Sequence, residues 1–184
     1  MLRAAGHDAV IAAIGAAPAA PPIPGIENAQ DAYTFMLEKK EAGENVVIIG
    51  GGDVGVDCGL GLAKKGSKVT VLEMTGVLAA TSVIMHHYSH VVRTMMQEKN
   101  FTGVTSVKVT RINPDSVVYL DEAGQEHTVQ ADTILYATGL KPRHADVLKL
   151  SDTTSYEFAF IGDAKKPGDL VELNRDAYGV AKNM

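Results

Sequence analysis

Residues 45–74, NVVIIGGGDVGVDCGLGLAKKGSKVTVLEM, contain the clearest structural pattern in this chain. An apolar run predicts a strand over 45–49, and helix-forming sequence follows over about 53–65 and ends at Gly66. A second apolar run predicts another strand over 68–72. Three consecutive glycines lie between the first strand and the helix, although glycine loses more conformational freedom on folding than any other residue. The stretch therefore predicts a βαβ unit whose turn needs room beside its backbone.

The glycines of this turn fit the pattern G-x-G-x-x-G through Gly50, Gly52 and Gly55. In a dinucleotide-binding βαβ unit the first glycine makes the tight turn and the second lets the backbone approach a pyrophosphate. The third lets the helix pack closely on the strand. The pyrophosphate then lies at the N-terminus of the helix, where unpaired N–H groups favour negative charge. A chain with 18 glycines can also produce the pattern by chance, which leaves a merely glycine-rich turn as the alternative.

An acidic residue follows the second strand of this unit. Glu73 lies 21 positions after Gly52, close to the spacing of about 20 expected for a carboxylate that binds the adenosine ribose. Such a carboxylate favours NADH over NADPH because it repels a 2′-phosphate, and Met74, Thr75 and Gly76 add no positive charge. The alternative is a surface glutamate without a ligand. The expected nucleotide contacts are Gly50, Gly51, Gly52, Asp53, Val54, Gly55, Glu73 and Met74.

Shorter patterns predict the remaining secondary structure. The expected elements are a strand over 8–15, an extended proline-rich linker over 16–25, helices over 29–40 and about 82–98, three antiparallel strands within 106–112, 116–124 and 126–139, a strand over 158–162 and a helix over about 169–182. Turn residues at 113–115 and 122–124 separate the antiparallel strands. Together these elements predict an α/β fold, with a Rossmann-like parallel sheet and a three-stranded antiparallel addition.

One sequence pattern occurs twice in the chain. DAVIAAIGAAP at 8–18 and DTILYATGLKP at 132–142 both combine a strand, small residues, a glycine and a proline three positions later. They bracket residues 19–131, so we interpret them as two crossings between one domain and a second domain inserted into it. The alternative is a pair of ordinary strand ends.

Composition limits the classes of function. The 184 residues are 46% apolar and 21% charged, which is typical of a globular protein able to bury a core. A net charge of −5 argues against nucleic acid or an anionic membrane as the main partner. Apolar runs fall short of the roughly 20 residues that cross a bilayer. The single cysteine, Cys58, excludes an internal disulfide and suits a reducing compartment, so a cytoplasmic location is expected.

Four stretches together resemble a known family. They are DAVIAAIGAAPAAPPIPGIE (8–27), VVIIGGGDVGVDCGLGLAKKGSKVTVLEM (46–74), ADTILYATGLKPR (131–143) and FAFIGDAKKPGDLVELNRDAYGVA (158–181). Their order and sequence resemble the FAD/NAD(P)-binding, pyridine nucleotide-disulfide oxidoreductase-like region of Old Yellow Enzyme-type NADH:flavin oxidoreductases. 2,4-Dienoyl-CoA reductase and enoate reductase are examples of that family.

The resemblance implies an NAD-binding domain inserted into a partial FAD-binding domain. It places Gly15 and Gly139 at the crossing loops near the cofactors. It also places Gly162 and Asp163 in a second flavin motif, in which the aspartate binds the ribityl chain. The implied domains are a partial FAD-type domain with the first crossing over 1–42, an NADH-binding domain over 43–140, and the C-terminal part of the FAD-type domain over 141–184.

The sequence also departs from this family. Its first, FAD-binding G-x-G-x-x-G motif, its flavin barrel and its iron–sulfur cysteines have no counterpart here, and AAIG replaces ATG at the first crossing. The chain is therefore expected to be a fragment, a separate subunit or a truncated relative, with NADH as its cofactor and FAD in doubt. The leading hypothesis is an NADH-binding module that positions NADH for hydride transfer to a flavin in a flavin-bearing domain, subunit or second copy. The alternative is a non-catalytic nucleotide-binding or assembly module that docks on a flavoprotein.

Other chemically capable residues favour ordinary roles. His86 and His90 share a helix face at the spacing of a metal pair, but nearby carboxylates or cysteines do not complete a ligand set, and no metal site is expected. Cys58 is expected to be a buried, inert thiol, since no feature argues for a lowered pKa. Gly59 and Gly61 weaken their helix, and close packing on the sheet is the expected reason for both. No side chain is a convincing acid, base or nucleophile.

Overall fold

The computed structural model describes residues 8–80 and 96–184. Its strands are β1 Ala9–Ala12, β2 Ala16–Pro18, β3 Gln30–Asp31, β4 Asn45–Ile49, β5 Lys68–Leu72, β6 Phe101–Val104, β7 Lys108–Asn113, β8 Ser116–Leu120, β9 Glu126–Gln130, β10 Thr133–Tyr136, β11 Leu140–Pro142 and β12 Glu157–Phe160. Its α-helices are α1 Ala32–Leu37, α2 Asp53–Lys64, α3 His144–Ser151 and α4 Leu170–Asn183. Short 3-10 turns form at Ile26–Asn28 and Gly162–Ala164.

The chain divides into two compact units. One unit spans Pro18–Gly139, and the other combines residues up to Ala17 with Leu140–Met184. The first boundary differs from the predicted boundary at residue 42, because residues 18–42 group with the glycine-turn unit. The physical reason is that β3 pairs with β10 and that α1 buries two side chains, Ala32 and Phe35, in the core of that unit.

A parallel sheet organises the unit Pro18–Gly139. Its strand order is β3-β10-β4-β5-β6, and the pairs are all parallel. Strands 45–49 and 68–72 and the helix between them are confirmed. Strand β6 was not predicted, because its sequence Phe-Thr-Gly-Val is short and contains a glycine. The mixed α/β architecture agrees with the predicted fold class.

The predicted third antiparallel strand over 126–139 is wrong as a single element. It divides into β9, which is antiparallel to β8, and β10, which is parallel to β4. Ala131 and Asp132 separate the two strands, and their N–H groups donate to the carbonyl oxygens of Asp115 and Asn45 respectively. The two residues between the strands include no glycine or proline, so no turn signal marks the change of sheet. The consecutive apolar residues Ile134, Leu135 and Tyr136 of β10 fit a strand that is buried on both faces.

Both faces of the parallel sheet are covered, as parallel sheets require. Val46 and Ile48 face a core shared with α1 and α2, whereas Val47 and Ile49 face a core shared with the antiparallel sheet. That second sheet has the order β7-β8-β9, with a bulge between Val109 and Arg111. Full burial of each such apolar side chain stabilises the folded state by about 1.5–3 kcal/mol relative to leaving it exposed to water.

Close packing on the sheet, predicted for both Gly59 and Gly61 of α2, explains Gly59 and not Gly61. A Cβ on Gly59 would lie 2.9 Å from the Phe101 ring and 3.2 Å from a methyl group of Val69. A Cβ on Gly61 would have no atom within 4 Å among the described residues, because Gly61 is on the exposed side of α2. The packing explanation for Gly61 is therefore wrong.

The other unit contains β1, β12, α3 and α4. β1 pairs in parallel with β12, from Ala9 opposite Glu157 to Ala12 opposite Phe160. β1 is shorter than the strand predicted over 8–15, and the closing helix predicted over about 169–182 is confirmed as α4. The side chain of Asp169 caps α4 by accepting a 2.8 Å hydrogen bond from the Glu172 N–H.

Two predicted helices have different outcomes. The helix predicted over 29–40 is shorter, because Asp31 ends β3 in extended conformation and caps α1 through a 2.7 Å hydrogen bond from the Thr34 N–H. The helix predicted over about 82–98 falls largely outside the described residues. Where the chain is described, its helices are too short or too polar to cross a bilayer.

Candidate functional site

The turn after β4 has the backbone geometry that its sequence predicts. Gly50 adopts φ +103°, which L side chains rarely adopt, and its N–H donates a 2.9 Å hydrogen bond to the Leu72 carbonyl. A Cβ on Gly50 would also meet the Ala137 carbonyl oxygen. A Cβ on Gly55 would collide with the Gly50 carbonyl oxygen, so a bare Cα there lets α2 approach the turn. The first and third glycines of the motif are sterically required.

The middle glycine of the motif has a different environment. Gly52 is the N-cap residue of α2 in extended conformation, and a Cβ there would meet no described atom within 4 Å. No side chain of the described residues caps the helix through a hydrogen bond at this position. The N-terminus of α2 therefore combines open space with a partial positive charge, the two properties that an anion needs.

Glu73 is held beside this turn by main-chain hydrogen bonds. Its Oε2 accepts a 2.6 Å bond from the Gly51 N–H, and its Oε1 accepts a 2.7 Å bond from the Thr75 N–H. Each carboxylate oxygen can accept a further hydrogen bond, because an ionised carboxylate has about four acceptor sites. The carboxylate is thus fixed in place and still has free acceptor capacity.

A cleft of about 740 Å³ lies above the glycine turn, entirely within the unit Pro18–Gly139. The predicted contact residues that line it are Gly50, Gly52, Asp53, Val54, Glu73, Met74 and Gly139. Gly51 and Gly55 are buried and do not line the cleft, although the Gly51 N–H positions Glu73. The volume of the cleft is within the range of small-molecule and cofactor sites.

Three further segments line the cleft, and the sequence did not predict that they would. The proline-rich segment contributes Pro21, Pro22 and Ile23, which the sequence marked only as a linker. Tyr33 of α1 contributes an aromatic ring. Residues 107–109 contribute from the start of the antiparallel sheet. No local pattern connects these segments with the glycine turn, since they meet it only through the order of strands in the sheets.

Hydrogen bonds within the unit Pro18–Gly139 hold the end of the second crossing in place. The Ala19 N–H donates a 3.0 Å hydrogen bond to the Gly139 carbonyl, and the Thr138 hydroxyl donates a 2.6 Å bond to the Ala19 carbonyl. Gly139 adopts φ +100°. The bonds hold the proline-rich segment and the end of β10 together at the edge of the cleft.

The remaining predicted contacts belong to the other unit. Gly15 and Gly162 both adopt φ +70°, and Asp163 lies in the 3-10 turn that follows β12. The Asp163 Oδ1 accepts a 3.3 Å hydrogen bond from the Gly168 N–H. Gly162 lines a separate groove of about 700 Å³ beside α4, in which Lys165 forms a 2.6 Å ion pair with Asp176.

Two titratable side chains on α2 have raised pKa values. Burial raises the pKa of the Cys58 thiol to about 11, so the reactive thiolate is rare at neutral pH. Burial, followed by the charge of Asp53, raises the pKa of Asp57. Within residues 8–80 and 96–184 no group of His, Cys, Asp and Glu side chains could hold a metal ion. His86 and His90 lie outside the described residues.

The fold and the cleft define a Rossmann-like α/β protein with a glycine turn and an acidic residue at the adjoining strand end. The family profile "pyridine nucleotide-disulphide oxidoreductase" matches residues 3–155, and the chain belongs to this family of flavin-dependent NAD(P)H oxidoreductases. The family binds FAD and NAD(P)H generally.

Similar proteins support the same family. Cinnamate reductase from Clostridium sporogenes is 29% identical over 97% of this chain, and NADH oxidase from Thermoanaerobacter brockii is 30% identical over 95%. The chain spans 27% of the length of each of these relatives. The solved complex of 2-naphthoyl-CoA reductase with 2-naphthoyl-CoA has a TM-score of 0.83 at 28% identity, over 93% of this chain and 26% of that one.

Proposed function

We propose that the cleft of the unit Pro18–Gly139 binds NADH and positions it for hydride transfer to a flavin. This proposal is supported chiefly by two features of the turn, the open space at Gly52 and the fixed carboxylate of Glu73. The first accommodates a pyrophosphate at the N-terminus of α2, and the second accepts hydrogen bonds from ribose hydroxyl groups. One of the similar proteins, from Thermoanaerobacter brockii, is an NADH oxidase, which fits this cofactor.

The individual contacts follow from this assignment. Gly50 and Gly55 shape the turn, while Gly52, Asp53 and Val54 present backbone to the pyrophosphate. Glu73, with its neighbour Met74, holds the adenosine ribose. Gly51 acts indirectly, because its N–H orients the Glu73 carboxylate. Gly139, in the second crossing, lies at the edge of the same cleft.

The proposed selection of NADH over NADPH rests on charge. A 2′-phosphate beside Glu73 would meet a carboxylate whose position is fixed by two backbone N–H donors. The negative charges of the phosphate and the carboxylate would repel each other. The carboxylate would also lose the 2′-hydroxyl group as a hydrogen-bond donor. The side chains of residues 74–76 bring no compensating cation.

The proposed role in catalysis is binding and orientation. NADH supplies a hydride to the flavin when both are bound, and the cofactors carry that chemistry. The side chains of this chain hold the nucleotide, and none is proposed as an acid, a base or a nucleophile. We propose that the flavin is held with the help of the other unit, a partial FAD-type domain in which Gly15 lies at a crossing loop. Gly162 and Asp163 would form its ribityl-binding motif, as in Old Yellow Enzyme-type NADH:flavin oxidoreductases.

Titration of the purified chain with NADH and NADPH tests this function. NADH at about 100 times its dissociation constant should stabilise the folded protein by about 2.7 kcal/mol. NADPH at the same concentration should stabilise it less. The measurement is thermal unfolding, checked by nucleotide fluorescence, and adenosine is the control ligand. Absence of stabilisation by both dinucleotides would contradict the proposal.

A second candidate is supported by exposed apolar side chains on α4. Leu170, Val171 and Tyr178 are 78%, 60% and 70% exposed, and α4 buries no residue in the described structure. A non-catalytic nucleotide-binding or assembly module that docks on a flavoprotein or a second copy would use such a face. Absorbance near 450 nm separates the two candidates: bound flavin that bleaches with NADH favours the first, and a colourless protein that still binds nucleotide favours the second.

The proposed location is the cytoplasm. The support is compositional, since the chain combines a net charge of −5 with a single cysteine. That cysteine is buried in α2.

A further inference from the structure

A lysine distant in sequence directly follows two residues that are hydrogen-bonded to the segment carrying Glu73. The Val107 N–H donates a 3.0 Å hydrogen bond to the Glu73 carbonyl, and the Ser106 N–H donates a 2.9 Å bond to the Thr75 carbonyl. These two bonds attach the start of β7 to the residues at the end of β5. Lys108, 35 positions after Glu73, is the next residue and lines the same cleft.

The charge of Lys108 is available to a ligand. Its side chain is exposed, and among residues 8–80 and 96–184 it forms no ion pair. Lys40, Lys68 and Lys165, in contrast, each have a carboxylate oxygen within 3 Å. The residue opposite Lys108 on β8 is the uncharged Leu120. The Lys108 ammonium group, on a flexible stem, therefore has no ion-pair partner among the described residues.

We propose that Lys108 is a second determinant of nucleotide selection, which gives the cleft residual affinity for a 2′-phosphorylated adenosine and thereby opposes Glu73. The proposal rests on the proposed function, because it requires adenosine to lie beside Glu73. The two side chains act on the 2′ position with opposite sign. The carboxylate favours a hydroxyl group there, whereas the ammonium group favours a phosphate.

The position of Lys108 favours the ribose end of the nucleotide over the pyrophosphate. Backbone hydrogen bonds connect its segment to Glu73 and Thr75, which flank the proposed ribose site. The pyrophosphate has its own donors in the backbone at the N-terminus of α2. A lysine that served the pyrophosphate would affect NADH and NADPH equally, and this difference makes the assignment testable.

The experiment compares dissociation constants for NADH and NADPH in the full chain and in its variants. K108M removes the charge, K108R retains it, and R111M removes an exposed charge from the same strand away from the cleft lining. All three are measured in the parent chain and in an E73Q background, in which NADPH binding is not opposed by the carboxylate. Thermal unfolding verifies that each variant is folded.

K108M is expected to weaken NADPH binding by about threefold to fivefold and to change NADH binding much less. K108R should retain the NADPH affinity, R111M should match its parent, and the effect of K108M should shrink at high salt. Equal weakening of both nucleotides would overturn the proposal, as would an unchanged NADPH affinity or absent NADPH binding in E73Q. Failure of every variant and of the parent chain to bind NADH would instead overturn the proposed function itself.

Discussion

The carboxylate of Glu73 accepts a 2.6 Å hydrogen bond from the backbone N–H of Gly51. The second residue of the glycine turn and the acidic residue at the end of β5 thus form one unit, although 22 positions separate them. A ligand that contacts the turn with a pyrophosphate would find the ribose acceptor already oriented. Such preorganisation reduces the entropy that binding costs.

Replacing Glu73 with Gln should weaken NADH binding by about tenfold. The amide has one carbonyl oxygen, so it cannot accept from both the Gly51 and Thr75 N–H groups and still bind the ribose. Hydrogen bonds to a charged group are worth about 1.5–3 kcal/mol. Isothermal titration calorimetry measures the affinity, and E44Q, in an exposed ion pair with Lys68, is the control. An unchanged NADH affinity in E73Q would remove Glu73 from the site.

Replacing Gly52 with Ala should abolish most nucleotide binding and leave the fold intact. The added methyl group meets no described protein atom within 4 Å, so it would occupy the space that we propose for the pyrophosphate. The matched control is G61A, the same substitution nine residues further along the chain, at an exposed position of α2 where the methyl group also meets open space. Fluorescence titration with NADH measures the loss. If G52A binds as well as G61A does, the pyrophosphate lies elsewhere.

Alanine at Gly59 and at Gly61 of α2 should change the stability of the protein with opposite signs. G61A should stabilise the protein by about 0.5–1 kcal/mol, because alanine has the higher helix propensity and its methyl group meets open space. G59A should destabilise by about 1–3 kcal/mol, because its methyl group would be 2.9 Å from the Phe101 ring. Urea denaturation measures both free energies of unfolding. Equal effects would show that α2 is not packed as described.

The hairpin between β8 and β9 should lose stability in acid. Hydrogen bonding to His127, followed by the backbone N–H of Gln125, holds the pKa of Asp121 below its ordinary value. A carboxyl group whose pKa is lower in the folded state stabilises above about pH 4 and loses that contribution as pH falls through the folded-state value.

The stability difference between the parent chain and D121N should accordingly be largest near neutral pH and disappear in acid. Thermal unfolding across pH 2.5–7 measures it, and E122Q removes one exposed charge from the same turn as a control. A difference that persists unchanged at the lowest pH would show that the carboxylate charge of Asp121 does not contribute.

The sequence by itself determined the local parts of this protein. The period of apolar residues predicted β4, β5, α2 and α4, and the spacing of Gly50, Gly52 and Gly55 predicted a turn with space for a ligand. These features depend on residues within one or two elements, because backbone conformation and side-chain direction are set locally. The acidic residue at position 73 could be found in the same way, since one βαβ unit fixes its distance from the turn.

Only the tertiary structure decided which distant segments complete the site. The proline-rich segment, Tyr33 and residues 107–109 line the cleft because of the order of strands and the crossings, which no local period records. The same holds for the division of residues 126–139 between two sheets and for the contrast between Gly59 and Gly61. The physical reason is that burial and packing against non-local neighbours decide these features, whereas the chain specifies only the faces that it offers for packing.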